Sequence, residues 1–370
     1  MKLTADFPLR ESARISTPVR NNGRIQCPDV LPDIRPASAA EYERLLTWLN
    51  GIFHPAVPDF FQTHYCHLFR GADALGEESL VIESGEGYLG HIGVYVFDLR
   101  TSLGPLRVGG IGGVAVAPEA RGRGMARQLL DAAHRKAAAA GCVAILLGGI
   151  RSIYTGSGYE VCGRQYHWMW DCGQRPVPTA WNRLTLGEAA EVLVPLWPRA
   201  EFGVLWKPEI TAQLPRRVGW ETWVNARRDA YAVVRTGESG MMVDHFLAAE
   251  AEFGVMMDAI SGHYPEPVSV RHPEGAAFLH GEMTRAGMDP QRRSLGMLKI
   301  LDAGALEKQL LAAGEHAEPC LSAIAGREFS RKPEDVARQR LASRKVFGDP
   351  FTADGGPPPI LWDWEYISHV

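Results

Sequence analysis

The chain has 370 residues, a length that predicts two or three domains. Its 39 Lys and Arg against 43 Asp and Glu give a formal net charge of -4, which disfavours nucleic acid as a partner. No run approaches about 18 consecutive apolar residues, and the N-terminus lacks the apolar core of a secretory signal, so no membrane segment is expected. The six cysteines form no C-x-x-C pair, which favours a reducing cytoplasm.

Several chemistries are absent from the sequence. There is no Gly-Lys dipeptide and hence no P-loop, and there is no H-E-x-x-H or G-x-S-x-G motif. His64, Cys66 and His67 are close together, but their spacing matches no standard zinc site, and a partly buried helix face is the simpler interpretation. We therefore expect no metal.

The N-terminal part of the chain has the pattern of an α/β module. Ser38 and Glu41 have the spacing of a capping box, and apolar residues follow at helical spacing up to Phe53. The pattern then predicts three strands, a long alanine-rich helix and a buried strand, at residues 79–83, 91–99, 111–117, 122–140 and 142–147.

The pattern restarts near Pro176 as a weaker copy that lacks a glycine-rich turn. It predicts a helix at 184–193 and strands at 220–226, 230–234, 241–248 and 252–257. A third block begins near Ser294, with a strand at 295–301 and helices at 303–313 and 333–342. We predict domain limits of 1–172, 173–290 and 291–370.

The segment from Val114 to Arg127 carries the strongest chemical signal. An apolar strand ends at Pro118, and a short basic, glycine-rich turn then opens the long helix. The first amides of a helix lack intrahelical acceptors, and glycines let an anion approach them. The turn therefore predicts a pyrophosphate cradle, with an exposed basic turn as the alternative. Its predicted cofactor-binding residues are Val114, Ala115, Val116, Arg121, Gly122, Arg123, Gly124, Met125, Ala126 and Arg127.

A second element, Ile153 to Tyr159, follows the buried strand. Together the two elements resemble the GCN5-related N-acetyltransferase (GNAT) superfamily, over about residues 34–171. Its Arg/Gln-x-x-Gly-x-Gly/Ala motif is matched by Arg121, Gly124 and Ala126, and its later aromatic element by Tyr154, Gly158 and Tyr159. The resemblance implies an α/β GNAT fold that binds acetyl-CoA as cosubstrate.

The resemblance also implies a mechanism. Acetyl-CoA would lie in a cleft between the strands at 114–116 and 144–147, where strand amides polarise the thioester carbonyl. A neutral amine would attack the thioester, and Tyr154 would protonate the leaving thiolate. The alternative for Tyr154 is a packing aromatic. No Asp or Glu lies between Thr101 and Pro118, so the general base must come from elsewhere or be replaced by water.

The order of the three segments resembles the Eis (enhanced intracellular survival) architecture, in which tandem GNAT-like modules precede a sterol-carrier-like α/β C-terminal domain. In that family the C-terminal carboxylate acts as base, which here is that of Val370, with His369 as a rival. The resemblance also implies a homo-oligomer, such as a hexamer. This chain departs from the family in ending in Ser-His-Val rather than an aromatic residue.

The tail is rich in acids and aromatic rings. Carboxylates pair with ammonium groups and rings stack on sugars, so it predicts a site for a cationic amino sugar. In the alternative, the tryptophans dock into the core while the acids face water. The predicted substrate-binding residues are Trp362, Asp363, Trp364 and Glu365.

The sequence therefore predicts an acetyl-CoA-dependent N-acetyltransferase that modifies a primary amine of a small cationic substrate. An aminoglycoside fits best, with a 2′-amino group such as that of kasugamycin as one option, and acetylation would confer resistance by removing a charge. The alternatives are a protein-lysine or polyamine acetyltransferase and a non-catalytic acyl-CoA or lipid-binding protein.

Overall fold

The structure is a computed structural model, and it describes most of the chain from residue 33 to residue 347. The described residues are 33–85, 87–101, 104–170, 177–201, 203–237, 240–273, 283, 291–312, 324, 327 and 332–347. Across these ranges, no helix combines the length and the apolar content that a membrane crossing requires.

The elements follow one another in a mixed α/β order. The strands are β1 (Ile34–Pro36), β2 (Ser79–Ser84), β3 (Gly87–Thr101), β4 (Gly104–Val116), β5 (Ala144–Leu147), β6 (Glu160–Trp170), β7 (Trp181–Arg183), β8 (Gly203–Leu205), β9 (Trp220–Asn225), β10 (Tyr231–Gly237), β11 (Gly240–Leu247), β12 (Val268–Pro273) and β13 (Gln291–Ile300). The helices are α1 (Tyr42–Phe53), α2 (Phe60–His64), α3 (Ala72–Glu78), α4 (Met125–Ala139), α5 (Ser152–Thr155), α6 (Leu186–Leu196), α7 (Pro208–Thr211), α8 (Glu250–Ser261), α9 (Ala303–Ala312) and α10 (Pro333–Phe347).

One continuous sheet of 13 strands runs through the described residues, in the order β1-β2-β3-β4-β5-β13-β6-β12-β11-β10-β9-β7, with β8 paired to β3. Its two halves repeat one connection. In the first half β2, β3 and β4 are antiparallel neighbours, and α4 crosses over to the parallel strand β5. In the second half β9, β10 and β11 are antiparallel, and α8 crosses over to the parallel strand β12. This repeat matches the predicted tandem arrangement.

The prediction of a strand at residues 252–257 is wrong, because this segment lies in helix α8. Its buried side chains recur at helical rather than alternating spacing: Phe253, Met256, Met257 and Ile260. They pack into the apolar core of the second half of the sheet. The apolar run was therefore the inner face of a crossover helix.

Strand β13 does not lie beside the strand that precedes it in the chain. It lies between β5 and β6 and is antiparallel to both, so that Met297 pairs with Leu147 on one side and Val161 on the other. The strand predicted to open the third block thus completes the sheet of the first. The predicted domain limits and the sterol-carrier-like assignment stay predictions.

Helix α10 is fastened to β6 by a buried carboxylate. The side chain of Glu160, 5% exposed, accepts hydrogen bonds from Arg340 at 2.7 Å and Arg344 at 2.8 Å. Gln339 on the same helix donates a hydrogen bond of 2.5 Å to the carbonyl of Ile300. These contacts hold α10 against β6 and β13.

We predict that Glu160→Gln lowers the free energy of unfolding by about 1–3 kcal/mol, because two charge-assisted hydrogen bonds are weakened and two arginines lose their buried counter-charge. Urea unfolding followed by circular dichroism measures the change. The control is Asp98→Asn, which removes an exposed pair with Arg107 and should cost less than about 1 kcal/mol. Equal effects of the two substitutions would contradict the assigned role of Glu160.

Candidate active site

The parallel strands β4 and β5, in the first half of the sheet, are paired over only part of their length. Strand β4 pairs with β5 at Val108, Gly109 and Gly110, and no pairing with β5 follows for residues 111–116 within the described chain. This opening lies between the two strands that the sequence predicted to flank the cosubstrate.

The three strand residues predicted to bind the cofactor do not share a face. Val114 and Val116 are half-buried and pack with the apolar cluster that contains Tyr154. Ala115 is buried in the cluster on the opposite face of the sheet. Ala115 can therefore contact a ligand in the opening through its backbone but not through its side chain.

The turn between β4 and α4 presents unpaired amides. Gly122 and Gly124 have left-handed backbones, with φ of +77° and +76°, and a Cβ at either position would meet no atom within 4 Å. The amides of residues 122–126 have no acceptor within the described part of the chain. Met125 is buried and fixes the start of α4, while Ala126 is half-buried. Such a cradle of amides at a helix N-terminus suits a phosphate.

Three arginines surround this cradle. Arg121, Arg123 and Arg127 are all exposed, and the Nε of Arg121 donates to the carbonyl of Val116 at 3.4 Å. The basic residues and the two glycines that the sequence singled out are thus brought together at one helix end. Positive side chains there add to the helix dipole in attracting an anion.

Tyr154 lies on the short helix α5, which follows β5. Its side chain is 9% exposed and belongs to the same apolar cluster as Val114 and Val116. Burial raises the pKa of its phenol, and the neighbouring Arg151 opposes this shift. The phenol therefore remains protonated at neutral pH, as a proton donor must.

Behind Tyr154 lies a polar network that the sequence did not reveal. Tyr159 is fully buried, and its hydroxyl lies 2.9 Å from Nε2 of His134 on α4. Lys299 on β13 lies 3.3 Å from Nδ1 of His134 and donates to the carbonyl of Ser157 at 2.8 Å. No local pattern could indicate this network, because Lys299 lies 142 residues after Ser157.

A basic cavity of about 270 Å³ adjoins the cradle and shares Arg127 with it. It lies between α4, the turn after α5, the end of β13 and α10. The cationic side chains of Arg127, Arg135 and Lys299 outnumber the single carboxylate of Asp131 in its lining, so the charge of the cavity favours an anion. Its polar lining consists of Arg127, Asp131, His134, Arg135, Ser157, Lys299 and Gln339.

The equivalent turn in the second half of the sheet has the opposite charge. Helix α8 begins after Ala249 with Glu250 and Glu252 in its first turn. Glu252 is paired with Arg227, and Glu250 disfavours a phosphate at that helix end. Of the two crossover helices, α4 is therefore the one whose start suits a phosphate.

The remaining predicted site residues lie outside the described residues. These are the proposed bases Val370 and His369 and the substrate-binding set Trp362, Asp363, Trp364 and Glu365. Within the described part of the chain, no group of three or more His, Cys, Asp or Glu side chains could hold a metal ion.

Comparison with known families matches residues 33–162 to the acetyltransferase (GNAT) domain. The match begins just before β1 and ends within β6, so it contains the cradle and Tyr154. No curated protein matches the chain.

Solved structures share the fold at low sequence identity. A conserved protein of unknown function from Enterococcus faecalis, described as a probable N-acyltransferase, aligns with a TM-score of 0.62 and 13% identity, over 76% of this chain and 75% of that one. A GCN5-related N-acetyltransferase from Kribbella flavida gives 0.55 and 18%, over 74% and 73%. Eis1 from Mycobacterium abscessus gives 0.54 and 18%, over 74% and 75%.

We predict that Gly124→Val abolishes binding of acetyl-CoA, with a loss of affinity of at least about 100-fold. A β-branched side chain is strained at this φ and would occupy the space in front of the free amides. Isothermal titration calorimetry measures the affinity. Gly104→Val is the matched control, since Gly104 also has a positive φ (+97°) and open surroundings but lies in the β3–β4 hairpin. If Gly124→Val bound acetyl-CoA as tightly as Gly104→Val, the cradle would not be the binding site.

Proposed function

We propose that this protein, whose residues 33–162 match the acetyltransferase (GNAT) domain, transfers the acetyl group of acetyl-CoA to a primary amine of a small cationic substrate. The observation that carries this proposal is the set of free amides at residues 122–126, beside a parted β4–β5 pair and a buried tyrosine. Amides supply a diphosphate site, the parted strands leave room for an extended pantetheine arm, and the tyrosine supplies an acid.

The basic cavity beside the cradle fits the same cosubstrate. Coenzyme A carries a third phosphate on its ribose, beyond the diphosphate. Arg127, Arg135 and Lys299 line a space that continues from the cradle along α4. Their charges favour a further phosphate there, which supports coenzyme A over a smaller thioester.

The chemical step is a direct transfer. The neutral amine attacks the thioester carbonyl, a C–N bond forms, and the C–S bond breaks to release the coenzyme A thiolate. Tyr154 gives its phenolic proton to that thiolate, and the ammonium proton of the product passes to a base. Backbone amides of β4 near Val114 stabilise the negative charge that develops on the carbonyl oxygen.

The base in this proposal is the terminal carboxylate of Val370. His369 and bulk water are the other candidates. The free tyrosine form is regenerated when the phenolate takes up a proton from solvent.

We further propose an aminoglycoside as the acceptor, with a 2′-amino group as one candidate position. The support is the sequence of residues 347–370, which contains five aromatic residues and four acids but no Lys or Arg. Such a composition complements several ammonium groups on sugar rings. Acetylation would remove one of those charges and weaken the drug's attraction to RNA.

The test is an acceptor panel with acetyl-CoA and purified protein. The panel contains kasugamycin and other aminoglycosides, spermidine, and a lysine peptide, and release of coenzyme A thiol is followed with a disulfide reagent. We expect release with at least one aminoglycoside, and mass spectrometry should show a single acetyl group on the product. Release with spermidine alone would identify a polyamine acetyltransferase, and release with the peptide alone would identify a protein-lysine acetyltransferase. Binding of acetyl-CoA without release on any acceptor would favour a non-catalytic acyl-CoA-binding protein.

We predict that Tyr154→Phe lowers kcat by about 10²–10⁴-fold, because general acid catalysis contributes about this much to rate. The affinity for acetyl-CoA should change little, since the phosphates are held elsewhere. Steady-state kinetics and calorimetry measure the two quantities. The control is Tyr231→Phe, which removes another buried hydroxyl, bonded to His245 in the second half of the sheet. An unchanged kcat in Tyr154→Phe would show that Tyr154 is not the general acid and serves only as a packing aromatic.

A further inference from the structure

A single histidine joins three strands next to the parted part of β4. His91 lies on β3 and is fully buried, at 0% exposure. Its Nδ1 lies 2.7 Å from the carbonyl oxygen of Gly113 on β4, and its Nε2 lies 3.1 Å from the hydroxyl of Ser79 on β2. A carbonyl oxygen can only accept, so Nδ1 carries the proton and donates to Gly113, and Nε2 accepts from Ser79.

The carbonyl that His91 binds belongs to a β-bulge. His91 pairs with Ala115 and Gly93 pairs with Gly112, so two residues of β4, Gly113 and Val114, oppose one residue of β3. Gly113 has a φ of +60°. The extra residue places Gly112 and Ala115 on the same face, whereas regular alternation would place them on opposite faces.

The bulge decides which way the end of β4 faces. Before it, even-numbered residues such as Val108 lie in the cluster beneath α1; after it, Ala115 lies there, and Val114 and Val116 pack on the side of Tyr154. Without the extra residue, these valines would exchange faces, and the neighbouring amides would point to the opposite edge of the strand. The position of the amides that we assign to the thioester therefore depends on the bulge.

This part of β4 is hydrogen-bonded to a neighbouring strand on one side only, that of β3. A bulge interrupts the ladder to β3, and residues 111–116 have no ladder to β5 within the described chain. The glycines at 109, 110, 112 and 113 add no side chains, so packing of this part of the strand rests on Ile111, Val114 and Ala115. The buried hydrogen bond from His91 is the side-chain contact made to the bulge carbonyl itself, and it adds to this packing in holding the shape of the bulge.

We propose that His91 is a positioning residue that holds the β4 bulge in the geometry required to bind and polarise the acetyl-CoA thioester. The inference rests on the proposed function of the same site. His91 itself does not touch the substrates, since it is fully covered by protein. Burial lowers the pKa of His91 to about 4, so the imidazole stays neutral in the neutral pH range and keeps a lone pair for Ser79.

Two substitutions separate this role from simple packing. His91→Asn places an amide N–H where Nδ1–H lies and keeps the bond to Gly113, but it leaves a cavity. His91→Gln is closer to histidine in volume and reaches toward Ser79, but it has no donor at the Nδ1 position. If His91 only fills space, His91→Gln should disturb the protein less than His91→Asn. If His91 holds the bulge, His91→Asn should disturb it less than His91→Gln.

Hydrogen–deuterium exchange of the peptide covering residues 109–117 reads the bulge directly. We expect exchange about tenfold faster in His91→Gln than in His91→Asn, because a fold-change of that size corresponds to the loss of one buried hydrogen bond. The control is His67→Asn, which creates a comparable gap at another fully buried histidine and should leave this peptide unchanged. Equal exchange in the Asn and Gln variants, or faster exchange in Asn, would overturn the proposal.

Kinetics supply the second readout. In His91→Gln we expect kcat to fall about tenfold while the affinity for free coenzyme A changes less than about threefold, since coenzyme A lacks the thioester carbonyl and is held by the cradle. His91→Asn should recover most of the rate. An equal loss in both variants would overturn the positioning role. If the wild-type protein acetylates no amine, the proposed function fails, while the exchange comparison still decides whether His91 holds the bulge.

Discussion

The parting of β4 from β5 is the constraint on which the site depends. The parallel ladder between them runs for three residue pairs and stops at Gly110. Up to that point α4 packs closely on β4, and a Cβ on Gly109 would lie 3.1 Å from the Cβ of Ala137. Beyond it, the bulge at Gly113 turns the strand end away from a regular course. Parallel strands leave backbone groups unpaired wherever they diverge, and an extended ligand can pair with such groups.

The second half of the chain completes this site. Strand β13 fills the position between β5 and β6 and brings Lys299 to Ser157 and His134, behind the candidate acid. Helix α10 follows and approaches so closely that a Cβ on Gly158 would lie 2.5 Å from Gln339. The left-handed φ of +91° favours glycine in the aromatic element, and a Cβ there would also displace the Gln339 side chain. The region that matches the acetyltransferase domain thus shares its core with Met297, which lies more than 130 positions beyond the end of the match.

The two halves of the sheet share a connection but not a chemistry. Each half uses an antiparallel run of strands followed by a crossover helix, and the first amides of each helix lack intrahelical acceptors. Glycines and arginines at the first helix make those amides accessible and attractive to phosphate, whereas the second has neither glycine nor arginine at its start and has Glu250 in its first turn. Charge and side-chain size at one turn thus make the first half the better match for a phosphate, and the second half contributes β13 to its sheet.

The cradle was predictable from the sequence because everything it needs is local. A strand end, two glycines, three arginines and a helix start lie within about one dozen consecutive residues, and the helix dipole follows from the backbone alone. The tandem repeat was predictable from its apolar pattern, although the run at residues 252–257, predicted as a strand, has the 3.6-residue period of a helix. The insertion of β13, the network of Tyr159, His134 and Lys299, and the contact of His91 with the β4 bulge were decided by tertiary structure. Each joins residues from strands or helices distant in the chain, and a hydrogen bond or a strand pairing between such residues leaves no periodicity in the sequence.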